Sequence, residues 1–161
     1  MGDLKVAVIG AGTMGHQIAL VFATAGFATR LFDADSDSLK KGMTRIGDFL
    51  EKRVAKGKID EAKRSAIRDC LKTASSLDSA AGDTDFVVEA VFENIDVKCR
   101  IFAALDSTCP ETTILATNTS TLSVTEIAAA AKIADRCIGT HFLIPAALTP
   151  LVEVVRGLAT S

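Results

Sequence analysis

The chain has 161 residues, 48% of them hydrophobic, which is the length and apolar content of one ordinary globular domain. Its 18 Lys and Arg residues oppose 20 Asp and Glu residues, for a net charge of -2. Because no basic excess is present to attract phosphate backbones, we expect no nucleic-acid partner.

Cysteine usage and hydropathy exclude several further classes. The 4 cysteines form no C-x-x-C pair and only 2 histidines are present, so we predict reduced structural thiols and no metal site. No apolar stretch approaches the roughly 18 residues of a membrane span, and the first apolar run is too short for a signal peptide. We therefore expect a cytoplasmic protein that does not bind a membrane.

The start of the chain predicts a β-strand, an α-helix and a second β-strand. The continuous apolar run Lys5–Ile9 is typical of a strand buried in a parallel sheet, and it stops at a glycine. Apolar residues at helical spacing then run from 13 to 25, and a second strand at 28–32 ends at Asp33. This order is that of a βαβ unit.

Two helices and a short strand are expected next. Ser36 or Asp37 is positioned to cap a long charged helix that runs to about residue 56. Asp60 is expected to begin a second, shorter helix, which a short strand follows around residues 71–74. We place both helices on one side of the sheet, with no domain linker between them.

The rest of the chain continues this alternation. We expect strands at 85–91, 114–117, 137–142 and 152–155 and helices at 94–108 and 124–131. Regular alternation predicts an α/β fold of the Rossmann type, with a doubly wound, mostly parallel sheet and helices on both faces. We expect residues 1–161 to form one domain of this kind.

The turn after the first strand has the pattern G-x-G-x-x-G, in the residues Gly10-Ala11-Gly12-Thr13-Met14-Gly15. In such a turn the first glycine permits a tight bend, the second lets a pyrophosphate approach the backbone, and the third allows close packing of helix on strand. The helix N-terminus presents free N–H groups to the phosphates. The motif and its position therefore predict a dinucleotide site.

Asp33 lies at the end of the second strand, where a carboxylate binds the ribose of adenosine. A carboxylate there repels a 2′-phosphate, so we predict NAD rather than NADP as cofactor. The alternative is a turn-forming aspartate in the Asp33-Ala34-Asp35 loop. His16, beside the motif, is interpreted as a solvated helix residue rather than a catalyst.

Histidine is suited to take a substrate proton near neutral pH. His141 follows the apolar run 137–140, which places it at the carboxyl edge of the sheet, where open α/β sheets bind ligands. Glu153, on the next strand, is positioned to hold the imidazole in one tautomer and to stabilise its charged form. From spacing alone, a structural histidine is the alternative.

Four further segments resemble a known family: Glu89-Ala-Val-Phe-Glu93-Asn, Ala116-Thr-Asn-Thr-Ser120, Gly139-Thr-His141-Phe and Leu151-Val-Glu153-Val-Val-Arg-Gly. Together with the glycine motif, they make the chain similar, from about residue 6 to residue 161, to the NAD-binding domain of the L-3-hydroxyacyl-CoA dehydrogenase family. The resemblance implies an NAD-dependent oxidoreductase of fatty acid metabolism and β-oxidation. It implies hydride transfer between the C3 hydroxyl of a 3-hydroxyacyl-CoA and NAD.

The resemblance also implies roles for individual residues. His141 would take the hydroxyl proton, and Glu153 would orient His141. Ser120 would hydrogen-bond the substrate oxygen or the nicotinamide side, while Glu93 and Lys98 would lie along the cofactor.

A further role implied by the resemblance is contact between Lys56 and a CoA phosphate. Simpler interpretations stand beside these roles. Ser120 alternatively caps a turn or helix. Glu93 alternatively supplies negative charge to the N-terminus of the next helix, and Lys98 lies on the surface of that helix. Lys56, near a helix end, is alternatively only solvated.

The chain departs from the family at two points. The family reads His-Phe-Phe-Asn-Pro where this chain has His141-Phe142-Leu143-Ile144-Pro145, so Ile144 replaces an amide. Loss of such a hydrogen-bonding group costs on the order of 2.7–4 kcal/mol in a transition state. The family's helical substrate and dimer domain has no counterpart here, so we expect either a fragment or a natural stand-alone domain.

Three interpretations of function remain open at this point. The first is a 3-hydroxyacyl-CoA dehydrogenase acting on an acyl-CoA, and the second is an enzyme for another small hydroxy acid or hydroxyacyl thioester. The third is a stand-alone NAD-binding or sensing module. We expect weak hydride transfer by this chain alone, and a cleft that a homodimer or a partner domain covers.

Overall fold

The strands of the molecule form a single sheet in the computed structural model, which describes residues 4–161. They are β1 (Lys5–Ile9), β2 (Ala28–Phe32), β3 (Leu71–Thr73), β4 (Phe86–Glu89), β5 (Ile114–Thr117), β6 (Cys137–Phe142) and β7 (Val152–Arg156). Their order across the sheet is β3-β2-β1-β4-β5-β6-β7. All neighbouring strands are parallel except β6 and β7, which pair antiparallel.

Helices connect these strands. They are α1 (Gly15–Thr24), α2 (Ser36–Ala55), α3 (Glu61–Cys70), α4 (Leu77–Ala81), α5 (Ile95–Thr108) and α6 (Val124–Ala128), with a short 3₁₀ turn at Ala134–Arg136. Within residues 4–161, none of the helices combines the length and the apolar character that are needed to cross a membrane.

The core has one layer on each face of the sheet. In β1, Val6 and Val8 join a cluster with buried residues of α1, α2 and α3, whereas Ala7 and Ile9 join a second cluster with α4, α5 and α6. Because side chains alternate between the faces of a strand, a strand buried on both faces reads as a continuous apolar run. The expected Rossmann-type sheet with helices on both faces is confirmed.

The strand order reverses beside β1. The chain proceeds from β1 outward through β2 to β3, then returns to the other side of β1 and proceeds through β4 and β5 to β6. At such a reversal the loops from neighbouring strand ends diverge and leave a crevice at the carboxyl edge. Loops that follow β1, β2, β4 and β5 therefore converge on one place.

Several element boundaries differ from the sequence expectation. The N-cap of α2 is Asp35, whose side chain accepts from the backbone N–H of Asp37 at 3.0 Å, so neither Ser36 nor Asp37 caps this helix. In the Asp-Ser-Asp-Ser run every residue is a suitable cap, and only the backbone determines which one lies outside the helix. Helix α6 also ends earlier than expected, at Ala128 rather than Ala131.

Two further differences concern β4 and the segment before it. Helix α4 was not expected, although Ser76 and Ser79 form a capping box at its start. Strand β4 ends at Glu89, two residues before the expected end, because the Glu89 carboxylate accepts from the backbone N–H of Val91 at 2.7 Å and closes a bend there. This bend forms part of the site.

Candidate functional site

A cleft of about 720 Å³ lies at the carboxyl edge of the sheet, beside β1. Eight of the predicted binding and catalytic residues line it: Gly10, Gly12, Thr13, Met14, Asp33, Glu93, Ser120 and His141. Ala11, Gly15, Lys98, Glu153 and Lys56 are not among its lining residues. The glycine turn, the end of β2 and the proton-transfer candidate therefore share one cavity.

The glycine turn is determined by close packing. Gly10 has φ +100°, and a Cβ there would lie 2.7 Å from the carbonyl oxygen of Ala90. A Cβ on Gly15 would lie 1.7 Å from the carbonyl oxygen of Gly10, so only glycine permits this approach of α1 to β1. A Cβ on Gly12, in contrast, would have no atom within 4 Å apart from its own residue and its chain neighbours. The turn is therefore fixed on its inner side and open on the side that faces the cleft.

Helix α1 begins at this turn without a side-chain cap. Its N-cap is Met14, which makes no capping hydrogen bond, and its first turn contains no acidic residue. The first N–H groups of a helix need partners, and an uncapped N-terminus attracts an anion. The open face at Gly12 and this helix end together fit a pyrophosphate, as NAD requires.

Asp33 connects the end of β2 to the glycine turn. Its Oδ2 accepts from the backbone N–H of Ala11 at 2.7 Å, and its Oδ1 accepts from the N–H of Asp35 at 2.9 Å. The carboxylate thus makes the turn that was the alternative interpretation, and it also lines the cleft where a ribose would lie. The two interpretations of Asp33 are compatible.

His16 is held against the turn rather than surrounded by solvent. Its Nδ1 lies 2.6 Å from the carbonyl oxygen of Gly12, and the residue is half-buried. Burial lowers the pKa of this imidazole, against the opposing effect of the Gly12 hydrogen bond, and Arg45 lowers it further. Nδ1 therefore donates to the turn and stabilises it, while the rest of this helix residue keeps part of its surface in solvent.

His141 and Glu153 form a hydrogen-bonded pair across β6 and β7. The two residues are directly opposite in the antiparallel register, and Nδ1 of His141 lies 2.7 Å from Oε2 of Glu153. The His141 side chain is 23% exposed and faces the cleft, whereas that of Glu153 is 58% exposed. Because Nδ1 is engaged, Nε2 is the ring nitrogen left to exchange a proton with a ligand.

Three charged residues form a network behind the cleft. Lys98 and Glu89 are both 0% exposed, with Nζ at 2.8 Å and 3.1 Å from the two carboxylate oxygens. Nζ also lies 3.3 Å from Oε2 of Glu93, which is 38% exposed and lines the cleft. The interpretation of Lys98 as a surface residue is therefore wrong.

Glu93 joins this network to the loop after β5. Its Oε1 accepts from the hydroxyl of Thr119 and, at 3.2 Å, from the backbone N–H of Ser120. Burial raises the pKa of the Glu93 carboxyl, but the hydrogen bonds from Thr119, Lys98 and Ser120 and the charge of Lys98 together outweigh burial, so the net change is a lowered pKa. Glu93 is thus a stable anion at the cleft.

The loop after β5 presents two polar side chains to the cleft. Ser120 is exposed there, while Thr119 accepts from the N–H of Leu122 at 3.0 Å and Ser123 caps α6, so capping by Ser120 is wrong. Asn118 also lines the cleft, and its Oδ1 accepts from the N–H of Phe142 at 2.9 Å. Sequence reasoning assigned no role to Asn118, although its position directly after a buried strand was the available signal.

Ile144 and Lys56 lie in different environments. Ile144 lines the cleft and is 66% exposed, so the branched alkyl group stands where the family has an amide. Lys56 is exposed at the C-cap of α2, away from the residues that line the cleft. Its contact with a CoA phosphate stays a prediction.

Comparison with known proteins gives one consistent result. Residues 5–161 match the family described as "3-hydroxyacyl-CoA dehydrogenase, NAD binding domain". A probable 3-hydroxybutyryl-CoA dehydrogenase of Bacillus subtilis is 41% identical over 157 residues, which are 98% of this chain and 54% of that protein. The peroxisomal fatty acid beta-oxidation multifunctional protein of Arabidopsis thaliana is 40% identical over 98% of this chain and 22% of its own length.

A solved structure agrees with the sequence matches. The crystal structure of (S)-3-hydroxybutyryl-CoA dehydrogenase from Ralstonia eutropha has a TM-score of 0.94 to this fold and 37% sequence identity, covering 99% of this chain and 56% of that one. The chain thus spans between 22% and 56% of the length of these three relatives. Because the match extends over nearly all of its residues, the chain belongs to the 3-hydroxyacyl-CoA dehydrogenase family and corresponds to the NAD-binding domain of that family.

Proposed function

We propose that this chain is the cofactor-binding and proton-transfer part of an NAD-dependent 3-hydroxyacyl-CoA dehydrogenase. The observation that carries the proposal is that the open glycine turn and the His141–Glu153 pair line and adjoin the same cleft. In this reaction the hydride leaves C3 and the proton leaves the oxygen bound to C3. The hydride acceptor and the proton acceptor must therefore lie in one cavity.

The cofactor would be held by the first half of the chain. Gly10, Gly12 and the N-terminus of α1 would bind the pyrophosphate, and Asp33 would accept hydrogen bonds from the ribose hydroxyls. The Asp33 carboxylate repels a 2′-phosphate, which favours NAD over NADP. When bound, NAD supplies the acceptor for the hydride from C3.

The substrate proton would be handled by the second half. Nε2 of His141 takes the proton of the C3 hydroxyl as the carbonyl forms, and Glu153 stabilises the resulting imidazolium. Ser120 and Asn118 are positioned at the cleft to hydrogen-bond the substrate oxygen or the carboxamide side of the cofactor. In the reverse direction His141 returns the proton to the oxygen.

The substrate class proposed is a 3-hydroxyacyl thioester of CoA, with Lys56 contacting a CoA phosphate. Four relatives carry names that specify such compounds, as 3-hydroxybutyryl-CoA or 3-hydroxyadipyl-CoA dehydrogenases. Ile144 makes the entrance to the cleft more apolar than an amide would, so we propose that the oxygen of the substrate is bound by the residues of the β5 loop.

The environment of the cleft supports two further proposals. Because the His141–Glu153 pair is solvent-accessible, a second, helical body must cover it for efficient catalysis, either a further domain or a second copy of the chain. We propose a cytoplasmic location because all four cysteines of the described residues are free thiols. The alternative function, an NAD-binding or sensing module without strong turnover, is favoured by Ile144 and by the exposure of Glu153.

Calorimetric titration of the purified chain with NADH, NADPH and acetoacetyl-CoA, each alone, tests these proposals. We expect NADH to bind more tightly than NADPH, and NADPH binding more tightly would contradict the role of Asp33. Oxidation of NADH by acetoacetyl-CoA that is lost in His141→Gln supports the dehydrogenase. Tight NADH binding without acyl-CoA binding or turnover would instead support the module.

A further inference from the structure

The Glu89 carboxylate lies in the interior with both oxygens engaged. Oε1 accepts from the backbone N–H of Val91 at 2.7 Å, and Oε2 accepts from the hydroxyl of Thr117 at 2.7 Å. Both oxygens also accept from Lys98. Glu89 therefore connects the ends of β4 and β5 with α5, although it is not itself a lining residue of the cleft.

Two paths lead from Glu89 to the cleft. One passes through Val91, which lines the cleft and belongs to the bend that packs on the glycine turn. A Cβ at Gly10 would lie 2.7 Å from the Ala90 oxygen and 3.0 Å from the Val91 nitrogen. The other passes through Lys98 to Glu93, whose second oxygen holds the β5 loop. The bend 90–93 is thus fixed from behind at both ends.

Packing of the core alone does not require the buried charges of Glu89 and Lys98. Replacing buried ion pairs by apolar residues of similar size is often neutral or stabilising, so such a pair does not by itself account for stability. Here two carboxylates share one ammonium group, and only one of the carboxylates reaches the cleft. The arrangement is specific for holding Glu93 and the bend in one position.

Topology determines which part of the cofactor this position serves. Asp33 follows β2, the glycine turn follows β1, and the bend follows β4, on the opposite side of β1 from β2. A bound dinucleotide would lie across this reversal with its adenosine on the β2 side. Its nicotinamide half would then be on the side of β4 and β5, where His141 lines the cleft.

We propose that Glu89 is a positioning residue for the nicotinamide half of the cofactor, acting through Val91 and through Lys98 on Glu93. The inference rests on the proposed function. It assigns Lys98 the same indirect role, because a side chain with no exposed surface does not contact a ligand in the cleft.

The test compares NADH with ADP, which lacks the nicotinamide half. Glu89→Gln keeps the size of the side chain, but it removes the negative charge and turns one acceptor oxygen into an NH2 donor, which cannot accept from Lys98. We expect NADH affinity to fall about tenfold, with ADP affinity unchanged. The chain has no Trp or Tyr, so the emission of bound NADH is free of protein signal and should shift toward that of free NADH.

A matched control is Asp106→Asn. Asp106 also forms a buried ion pair, with Arg136 at 2.8 Å, but neither residue lines the cleft. We expect this variant to lose stability while it binds NADH and ADP as the parent chain does. If both variants weakened NADH binding equally, the effect would follow from stability alone and the inference would be wrong.

The double variant Glu89→Gln with Lys98→Met addresses instability of the single variant. It removes the conflict between amide and ammonium, so stability should return in thermal unfolding while NADH binding stays weak and ADP binding stays intact. Recovery of NADH affinity together with stability would overturn the inference. Absence of NADH binding to the parent chain would instead contradict the proposed function.

Discussion

The two halves of the cleft differ in burial. In the half built by β1, α1 and β2, the last four residues of β1 are buried, whereas in the half built by β6 and β7 all five residues of β7 are exposed. The glycine turn is fixed by backbone packing, but the His141–Glu153 pair depends on one register between β6 and a strand at the edge of the sheet. The difference indicates that the geometry of the glycine turn is built into the core of this chain. The geometry of the His141–Glu153 pair is held at its surface and is more sensitive to whatever covers that surface.

The largest expected effect sharpens this comparison at the exposed half. Replacing His141 by Gln removes the proposed proton acceptor, and loss of a general base lowers turnover by about 10²–10⁴-fold. The free energy of unfolding should change by no more than about 0.5 kcal/mol, since the residue is not part of the core. Steady-state oxidation of NADH with acetoacetyl-CoA and chemical unfolding measure the two quantities. If the free energy of unfolding fell by as much as the loss of turnover represents in activation free energy, the separation of the two halves would be contradicted.

The next largest effect concerns the packed half. Gly15→Ala places a methyl group against the Gly10 carbonyl, and overpacking against backbone should cost about 3 kcal/mol of unfolding free energy. Gly47→Ala is the matched control, since Gly47 lies in α2 with no atom within 4 Å of its Cβ position. That change should stabilise the helix by up to about 1 kcal/mol. A Gly15→Ala variant as stable as the parent would show that the turn is not fixed by packing.

A smaller effect separates folding from binding within the turn itself. At Gly12 a methyl group meets no protein atom, so Gly12→Ala should leave stability unchanged. The methyl group would, however, enter the space of the pyrophosphate, and we expect NADH affinity to fall about tenfold. Titration of the variant with NADH, alongside its thermal unfolding, measures both. Unchanged affinity would place the phosphates elsewhere.

The smallest effect is a pH dependence at the junction of the two halves. The pKa of Glu93 is lowered in the folded state, so the unfolded chain takes up the proton first as pH falls. Its contribution to stability is therefore present above the unfolded pKa of about 4.3 and is lost as pH falls through the folded pKa. Because the side chain is 38% exposed, we expect at most about 1 kcal/mol.

The measurement compares the unfolding free energy of the parent chain with that of Glu93→Gln between neutral and acidic pH. The parent should be the more stable at neutral pH, and the difference should disappear at acidic pH. A difference that stays constant with pH would exclude ionisation of Glu93 as its cause.

Much of the fold followed from local pattern. Strands β1, β2 and β5 have the expected bounds, because continuous apolar runs between polar or glycine residues leave few other options. The first helix was expected to begin at Thr13 but begins at Gly15, because the glycine turn extends to Met14. Asp33, Gly10 and Gly12 could be assigned to one cleft because their positions depend on residues near one another in the chain.

The buried part of the site was harder to predict. A lysine on a charged helix is usually solvated, and nothing near Lys98 in sequence indicates that β4 presents a carboxylate to it. The pairing of Glu89 with Thr117 likewise joins residues from different strands. Such contacts depend on the order of strands in the sheet, which local periodicity does not determine.

The pairing of His141 with Glu153 has a consequence for variation in length. Because these residues oppose each other in β6 and β7, moving β7 by one residue would turn Glu153 to the other face of the sheet. Residues 143–151 between the strands can therefore change in composition, as at Ile144. Insertions or deletions there are tolerated only when the added or removed chain bulges outward and leaves the two strands aligned.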